Sequence, residues 1–429
     1  MKLGVCKIDI TPRWPVELAG FANHDRKGKT YDEVLRPLYA RMFYFRDDHA
    51  DGTYSQALLV SADLIWWGTD RIGAIREKLL QRWGLKESSV ILHATHTHSG
   101  PQTSKWFQLL GRVDPEYIEH LEQQMVDGVG LAMANAETVI IERGTSECPG
   151  GINRRRIMNG KAEKLPNDEG PNDPEVTVVR FGTESGSTKG LLVHYTCHPS
   201  ITSANSVSSE FTGVAMDLVE EQIGGGAAVS AFLQGYCGDI RANLVRDGVF
   251  CGGNDEDVRA QGNRLADAVL ERLRLPMERL KACPLTGKQL LVPIPFARLP
   301  TYEELRQEIA RPGGKKAWAA LLLREPERIQ AGQLLEMTRL DLASGLSLLA
   351  MNGEMVVEYG LFIKQVSNGT VLPLGYSNGM IGYIPTAGQL SEGGYEPLEA
   401  IYYFGLPAPY DGALEENIRK HIVAVLEDI

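Results

Sequence analysis

Short apolar runs alternate with amphipathic stretches through most of this chain, the rhythm of strands exchanging with helices. The first dozen residues, Met-Lys-Leu-Gly-Val-Cys-Lys-Ile-Asp-Ile-Thr-Pro, alternate like a strand. A buried strand is expected at 57–63 and an amphipathic helix at about 70–83. The apolar run Ser-Val-Ile-Leu at 89–92 predicts another buried strand, and 117–136 a long helix. Strands follow at 176–181 and 190–195, a helix at about 212–223, a strand at 227–233 and a helix at 255–273. The pattern predicts an α/β fold with mixed sheets flanked by helices.

Two stretches break the rhythm. Residues 149–175 are polar and rich in Gly, Asn, Arg and Pro, which predicts a long loop lying over something. After Pro276 a strand at 289–294 leads into charged helical segments across 300–343, interrupted by Pro312-Gly313-Gly314 and Pro326. A lid or capping segment and a plain helical excursion packed on the sheet both fit that block. The α/β pattern returns with a strand at 345–351 that delivers Asn352-Gly353-Glu354 into a helix ending near Val366. Leu414, Ile418, Ile422 and Val425 recur at helical spacing in a closing helix over 414–429. The chain of 429 residues exceeds the roughly 250–300 at which one core stops growing. Two lobes around a shared cleft and one large mixed sheet with decorations both fit that length, and we read a single domain over 1–429 with the 300–343 block as its possible cap.

Composition narrows the function classes. A net charge of −11 disfavours nucleic acid and anionic membrane surfaces, which require clustered Lys and Arg. No apolar run approaches the roughly 18 residues that span a bilayer. The charged N-terminus lacks the apolar core of a secretion signal, so a cytoplasmic protein is expected. Six cysteines without a Cys-x-x-Cys pair predict free thiols rather than a disulfide framework. Self-association stays open.

The densest chemistry is His-Ala-Thr-His-Thr-His-Ser-Gly-Pro at 93–101, which holds three of the nine histidines. It follows an apolar strand and ends in turn residues, so the histidines sit where a strand leaves its sheet. In extended backbone His96 and His98 face the same way, one suited to ligate a metal and the other to work beside it. His93 has the opposite parity and is expected to pack beneath the sheet. A second strand, Leu191-Leu192-Val193-His194-Tyr195, runs into Cys197-His198-Pro199. His198, at the strand end, is the candidate ligand, and His194 a buried hydrogen-bonded histidine. Glu354 occupies a third strand-to-helix turn. Three strand ends each offering one ligand would make a catalytic zinc site.

In combination and order, several segments resemble the neutral (non-lysosomal) ceramidase family. They are Asp9-Ile10-Thr11-Pro12, Leu18-Ala19-Gly20-Phe21, Leu38-Tyr39-Ala40-Arg41, Thr95-His96-Thr97-His98-Ser99-Gly100-Pro101, Cys197-His198-Pro199, Gly238-Asp239-Ile240, Gly353-Glu354 and Gly382-Tyr383-Ile384. The resemblance implies zinc held by His96, His198, Glu354 and Tyr383. It also implies catalytic roles beside the metal for His98, Arg154 and Tyr395, with Glu354 a possible proton carrier. The triplet Arg154-Arg155-Arg156 leaves the arginine's register open, and the residues leave open whether Glu354 or His98 is the general base.

The implied activity is zinc-dependent hydrolysis of an amide or ester. Zinc brings the pKa of its bound water to about 7, and the developing oxyanion needs a positive or hydrogen-bonding partner. The chain is expected to lack the β-sandwich domain that follows the catalytic domain in long family members. Arg241-Ala242 stands where members tend to have a small residue and proline, and Arg241 is a candidate for binding an acidic or polyhydroxylated substrate or for a solvent-facing salt bridge. These departures favour a small soluble substrate. A true ceramidase releasing fatty acid and sphingosine, and a non-catalytic metal-binding protein, are the alternatives. A dinuclear phosphoesterase would need further carboxylates, for which Asp63 and Asp239 are the available spares. Cys237 is read as a buried thiol rather than a nucleophile.

Overall fold

The computed structural model describes residues 1–21, 26, 28–224 and 228–427. Its largest sheet runs Val229–Gln234, Thr188–Tyr195, Glu175–Thr183, Glu137–Glu147, Lys2–Asp9, Tyr39–Asp48, Tyr54–Ala62, Val90–Ala94, with Glu278–Arg279 also paired to Glu137–Glu147. The two end pairs are parallel and the inner pairs antiparallel. The sheet curls, bringing its two ends together: Ser61 Oγ donates to the Phe232 carbonyl at 2.6 Å, between strands from opposite ends of the order. Phe43, Phe45 and Phe181 fill the space between, with ring centroids 5.7–6.5 Å apart. These rings and the aliphatic residues alternating along each strand remove apolar surface from water on this face.

A second sheet, Thr286–Pro295, Gly332–Ala343, Leu346–Met351 and Val371–Leu374, contributes Leu340, Leu348 and Leu372 to the same core. Helices Glu210–Gly224 and Asp255–Arg274 cover one flank through Phe211, Val219 and Leu265. Helices Thr69–Trp83, Pro115–Ala134 and Leu414–Leu426 belong to the largest core cluster on the other side. Among the described residues, no helix is long and apolar enough to cross a membrane. The cysteines are free thiols.

The expected mixed α/β architecture is present, with two local differences. The loop expected over 149–175 contains a hairpin, Gly151–Met158 and Lys161–Asn167. Asn159 and Gly160 turn it with φ of 52° and 77°, the double positive φ that an Asn-Gly hairpin turn supplies. The helical reading of 300–343 holds only for Tyr302–Ala310 and Lys316–Arg324, whereas Gly332–Ala343 is an inner strand. There the charges of Glu336 and Arg339 are absorbed: Glu336 pairs with Arg76 at 2.6 Å, and Arg339 reaches Asp341 at 2.7 Å and the Val425 carbonyl at 2.8 Å. Of the expected strand at 227–233, residue 227 lies outside the described residues, as do 428 and 429 of the closing helix.

Candidate metal centre

The strand Val90–Ala94 ends one residue before the histidine pair. The backbone then turns: His96 has φ of 68°, a left-handed conformation rarely adopted by a non-glycine residue. The extended-strand parity expected for His96 and His98 is therefore not what brings their rings together. They meet edge to face across this turn, with centroids 4.8 Å apart. His93, still in the strand, is buried and fully engaged. Its Nε2 accepts from the Gln234 amide at 2.8 Å, and its Nδ1 lies 3.1 Å from the Gly375 carbonyl and 2.9 Å from Ser377 Oγ. His194 is likewise buried, with Nε2 2.9 Å from the Pro373 carbonyl.

Buried Gln234 fastens the two histidine loops to each other. Its Nε2 donates to the carbonyls of Thr95 and Cys197 at 3.2 and 2.9 Å, and its Oε1 accepts from the Cys197 amide at 3.2 Å. His198 is thereby held against His96, Nε2 to Nε2 at 3.0 Å. Both rings face a carbonyl through the other nitrogen: His96 Nδ1 donates to Ile65 at 2.8 Å and His198 Nδ1 to Cys237 at 2.7 Å. Those bonds fix the tautomer, so each Nε2 carries a lone pair and no hydrogen. Burial drives His96 down to about 3 and His198 well below its ordinary value, keeping both rings neutral.

Glu354 closes the cluster. It follows the strand Leu346–Met351 through Asn352-Gly353 and pairs residue for residue with Tyr383 in a short parallel ladder. Gly238 lets the Cys237 loop approach this ladder, since a Cβ there would sit 2.9 Å from the Met355 carbonyl. Glu354 Oε2 lies 3.6 Å from His96 Nε2 and 3.7 Å from His198 Nε2, buried and without a hydrogen-bond partner. Burial pushes its carboxyl up to about 8, against the opposing pull of Tyr383 and Arg154. Two nitrogen lone pairs and a carboxyl oxygen thus converge on one point, an arrangement that favours a cation once Glu354 is ionised. Two nitrogens on one tetrahedral zinc stand roughly 3.3 Å apart, close to the spacing seen here. The donor set fits a zinc ion.

His98 belongs to the same cluster, within 4.8 Å of the other two histidine nitrogens. Its Nε2 is 3.2 Å from His96 Nε2, but its Nδ1 has no partner among the described residues. It therefore lacks the carbonyl anchor that orients His96 and His198. Gly20, with φ of 104°, presses against this ring where a Cβ would come within 2.6 Å of Nδ1. Arg154 settles the register of its triplet. Its Nε donates to Glu396 at 2.8 Å and its terminal nitrogen to the Tyr383 hydroxyl at 3.0 Å, whereas Arg155 turns away to Glu396, Glu392 and the Gly393 carbonyl. Burial opposes the Arg154 charge, but Tyr383 and Glu396 outweigh it and hold the guanidinium well above its ordinary value. Tyr395 meets Tyr383 at 5.6 Å, nearly perpendicular.

These residues line a cavity of about 320 Å³ with Phe21 and Leu110 on one side and Lys164 and Arg241 on another. Arg241 lies over the Phe250 ring at 4.9 Å and makes no ion pair among the described residues, so the solvent-facing salt bridge considered for it is absent. The Lys164 ammonium sits 4.6 Å from the Tyr395 ring centre. Burial of that tip, with Arg154 and Arg241 nearby, pushes it down to about 7. Because Lys164 is exposed as a residue, repulsion among the cations is the firmer cause.

Sequence reasoning missed Glu396, Lys164 and Tyr376. Tyr376 stacks on His96 at 3.9 Å and holds Cys237 Sγ at 3.0 Å, so Cys237 is a buried thiol. No local pattern marks any of the three. Asp63 and Asp239 serve the scaffold: Asp63 accepts from Arg41 and the Tyr39 amide, Asp239 from Val357, Asn153 and Gln389. Neither is spare for a second metal.

Residues 1–268 match the family described as neutral/alkaline non-lysosomal ceramidase, N-terminal. A neutral ceramidase of Mycobacterium tuberculosis is 25% identical over 245 residues, covering 53% of this chain and 38% of that protein. Neutral ceramidase B of Dictyostelium discoideum is 27% identical over 261 residues, 55% of this chain and 35% of that one. The matches thus span little more than a third of these relatives' length. The crystal structure of neutral ceramidase from Pseudomonas aeruginosa superimposes with a TM-score of 0.76 at 19% identity, over 100% of this chain and 75% of that one. That likeness concerns the fold.

Proposed function

The chain belongs to the neutral/alkaline non-lysosomal ceramidase family, and from that premise we propose that it is a zinc-dependent hydrolase of an amide or ester bond in a substrate smaller than ceramide. The observation that carries the metal part is the convergence of His96 Nε2, His198 Nε2 and Glu354 Oε2 on one point. His96, His198 and Glu354 would hold the ion, with Tyr383 beside them. When bound, zinc supplies Lewis acidity and a nucleophile at neutral pH.

The protein's own groups do the rest. Arg154, fixed by Glu396, and the hydroxyls of Tyr383 and Tyr395 offer charge and hydrogen bonds to a carbonyl oxygen as it becomes negative. Their positions are set before substrate arrives, so little reorganisation is needed. Glu354 and His98 are the groups able to carry a proton to the leaving amine or alcohol. Both belong to the cluster, His98 as a neutral ring beside His96 and Glu354 as a carboxyl group facing both ligand histidines.

Two features support a small substrate. The cavity of about 320 Å³ lies near the lower end for ligand sites, and its mouth carries cations. A second cavity of about 450 Å³, lined by Trp106, Phe107, Phe296 and Phe404, favours the other reading. Phe404 stands between it and Tyr383, and an acyl tail reaching past that ring would suit a true ceramidase. The helical pair at 302–324 serves as a cap in our reading, since Trp318 donates to the Leu406 carbonyl at this cavity's edge. Zinc-loaded protein should be assayed on fluorescent long-chain ceramide in detergent and on short acyl amides and esters. Faster turnover of the short substrates is expected. A kcat/KM on ceramide of about 10⁴ M⁻¹s⁻¹ or more would restore the ceramidase reading, and no hydrolysis of any of them would remove the hydrolase.

A further inference from the structure

Three cations of this acidic protein, Arg154, Lys164 and Arg241, line one cavity. A three-stranded sheet, Ile240–Ala242 beside Gly151–Met158 beside Lys161–Asn167, carries Arg241, Arg154 and Lys164 on its successive strands. The fold fixes the place of Arg241 directly. Its backbone bridges to His198 in parallel register, and the His198 amide donates to the Ile240 carbonyl at 3.2 Å. Partners in such a bridge stand about 5 Å apart, so Arg241 emerges next to a histidine of the metal cluster. Both side chains line the same cavity.

The three cations differ in what balances them. Arg154 is matched by Glu396, which also serves Arg155. Lys164 and Arg241 have no carboxylate within ion-pair distance among the described residues, and each rests instead against an aromatic ring, Tyr395 or Phe250. Arg298 and Arg259, by contrast, have acidic partners although both are exposed. Two cations left unmatched and facing one pocket repel each other, a cost that an anion between them reverses. Arg offers a planar fork suited to a carboxylate and Lys a point charge.

We propose that the substrate is an amide carrying a carboxylate a few bonds from the scissile carbonyl, and that Arg241 and Lys164 bind that carboxylate at the cavity mouth. This rests on the hydrolase reading for the word substrate, though not for the binding itself. The carboxylate would orient the amide so that its carbonyl lies at the His96, His198 and Glu354 cluster beside Arg154. A neutral lipid lacks the group that these two residues recognise.

The test compares matched pairs on zinc-loaded protein: N-hexanoylglycine against N-hexanoylethanolamine, and N-butylsuccinamate against N-butylbutanamide. One pair carries the carboxylate on the amine side and the other on the acyl side. In at least one pair the anionic member should have the higher kcat/KM, by tenfold or more and mainly through KM. Arg241→Gln and Lys164→Gln should each bring that ratio towards one, and Arg241→Lys should keep part of it. Calorimetric binding of the same compounds, with the same variants, is the arm that does not depend on turnover. Carboxylate-dependent binding lost in Arg241→Gln supports the proposal even if nothing is hydrolysed, in which case the hydrolase reading alone fails. Equal binding and turnover within both pairs overturn it. A preference that survives both glutamine variants, as when the carboxylate goes to the metal, overturns it equally.

Discussion

Glu354 and Tyr383 oppose each other across a two-strand parallel ladder, and the Tyr383 hydroxyl accepts from the Arg154 guanidinium at 3.0 Å. The same residue thus stands beside the carboxylate of the candidate metal cluster and holds a cation that lines the neighbouring cavity. Removing its oxygen should loosen both. Tyr383→Phe is expected to weaken zinc binding about 10- to 100-fold, the usual effect of deleting a group that orients a ligand. Competition with a chromophoric chelator measures this, and an unchanged affinity would place Tyr383 outside the metal's surroundings.

The histidines should separate into two classes. His96 and His198 have carbonyl-anchored rings, so the His96→Ala, His198→Ala double variant should retain almost none of the single zinc per chain expected of the wild type. His98 lacks such an anchor among the described residues. His98→Ala should keep the zinc while turnover falls roughly 100-fold or more. Elemental analysis beside the rate measurement decides, and loss of zinc from His98→Ala would make it a ligand.

Glu396 is a stability residue as well as an anchor. It takes both Arg154 and Arg155 in a site where the three side chains are 5% exposed or less. Burial opposes its charge, but the two arginines outweigh that and hold its carboxyl below the usual range. Glu396→Ala leaves two buried guanidinium groups short of a partner and should cost about 3–5 kcal/mol. Chemical denaturation would register this as a lower midpoint. A loss under about 1 kcal/mol would mean that the arginines find other partners.

Glu210 should make stability depend on pH. Burial pushes its carboxyl from 4.5 up to about 7, although the amides of Ile201, Thr202 and Phe211 pull the other way. The folded state therefore keeps a proton that the unfolded chain has already released. The resulting stability is complete below about pH 4.5 and is lost as pH rises through 7. Glu210→Gln cannot release that proton. It should unfold at a lower temperature overall, because its amide opposes the Phe211 N–H, yet lose less between pH 5 and 8 than the wild type. Parallel melting profiles across that range would exclude this role.

The sequence by itself determined the α/β rhythm, the strands that end near Ala94, Tyr195 and Met351, and the candidate ligand residues just beyond them. Those features are local: apolar runs of strand length, turn residues after them, and a ligand type at each end. It also carried an unused signal, Asn159-Gly160, for the hairpin that delivers Arg154. Only the tertiary structure decided which atoms meet. The left-handed turn at His96, not strand parity, sets that ring, and Gln234 ties its loop to the one bearing His198. Glu396 is separated from Arg154 by 242 residues and Lys364 from Asp173 by 191, contacts that no local pattern encodes. The strand at Gly332–Ala343 reads as charged and helical because its partners, Arg76 and the Val425 carbonyl, lie on distant elements. Arg241 shows the same limit: its position beside His198 follows from a single bridge formed beyond the ends of two neighbouring parallel strands, Thr188–Tyr195 and Val229–Gln234.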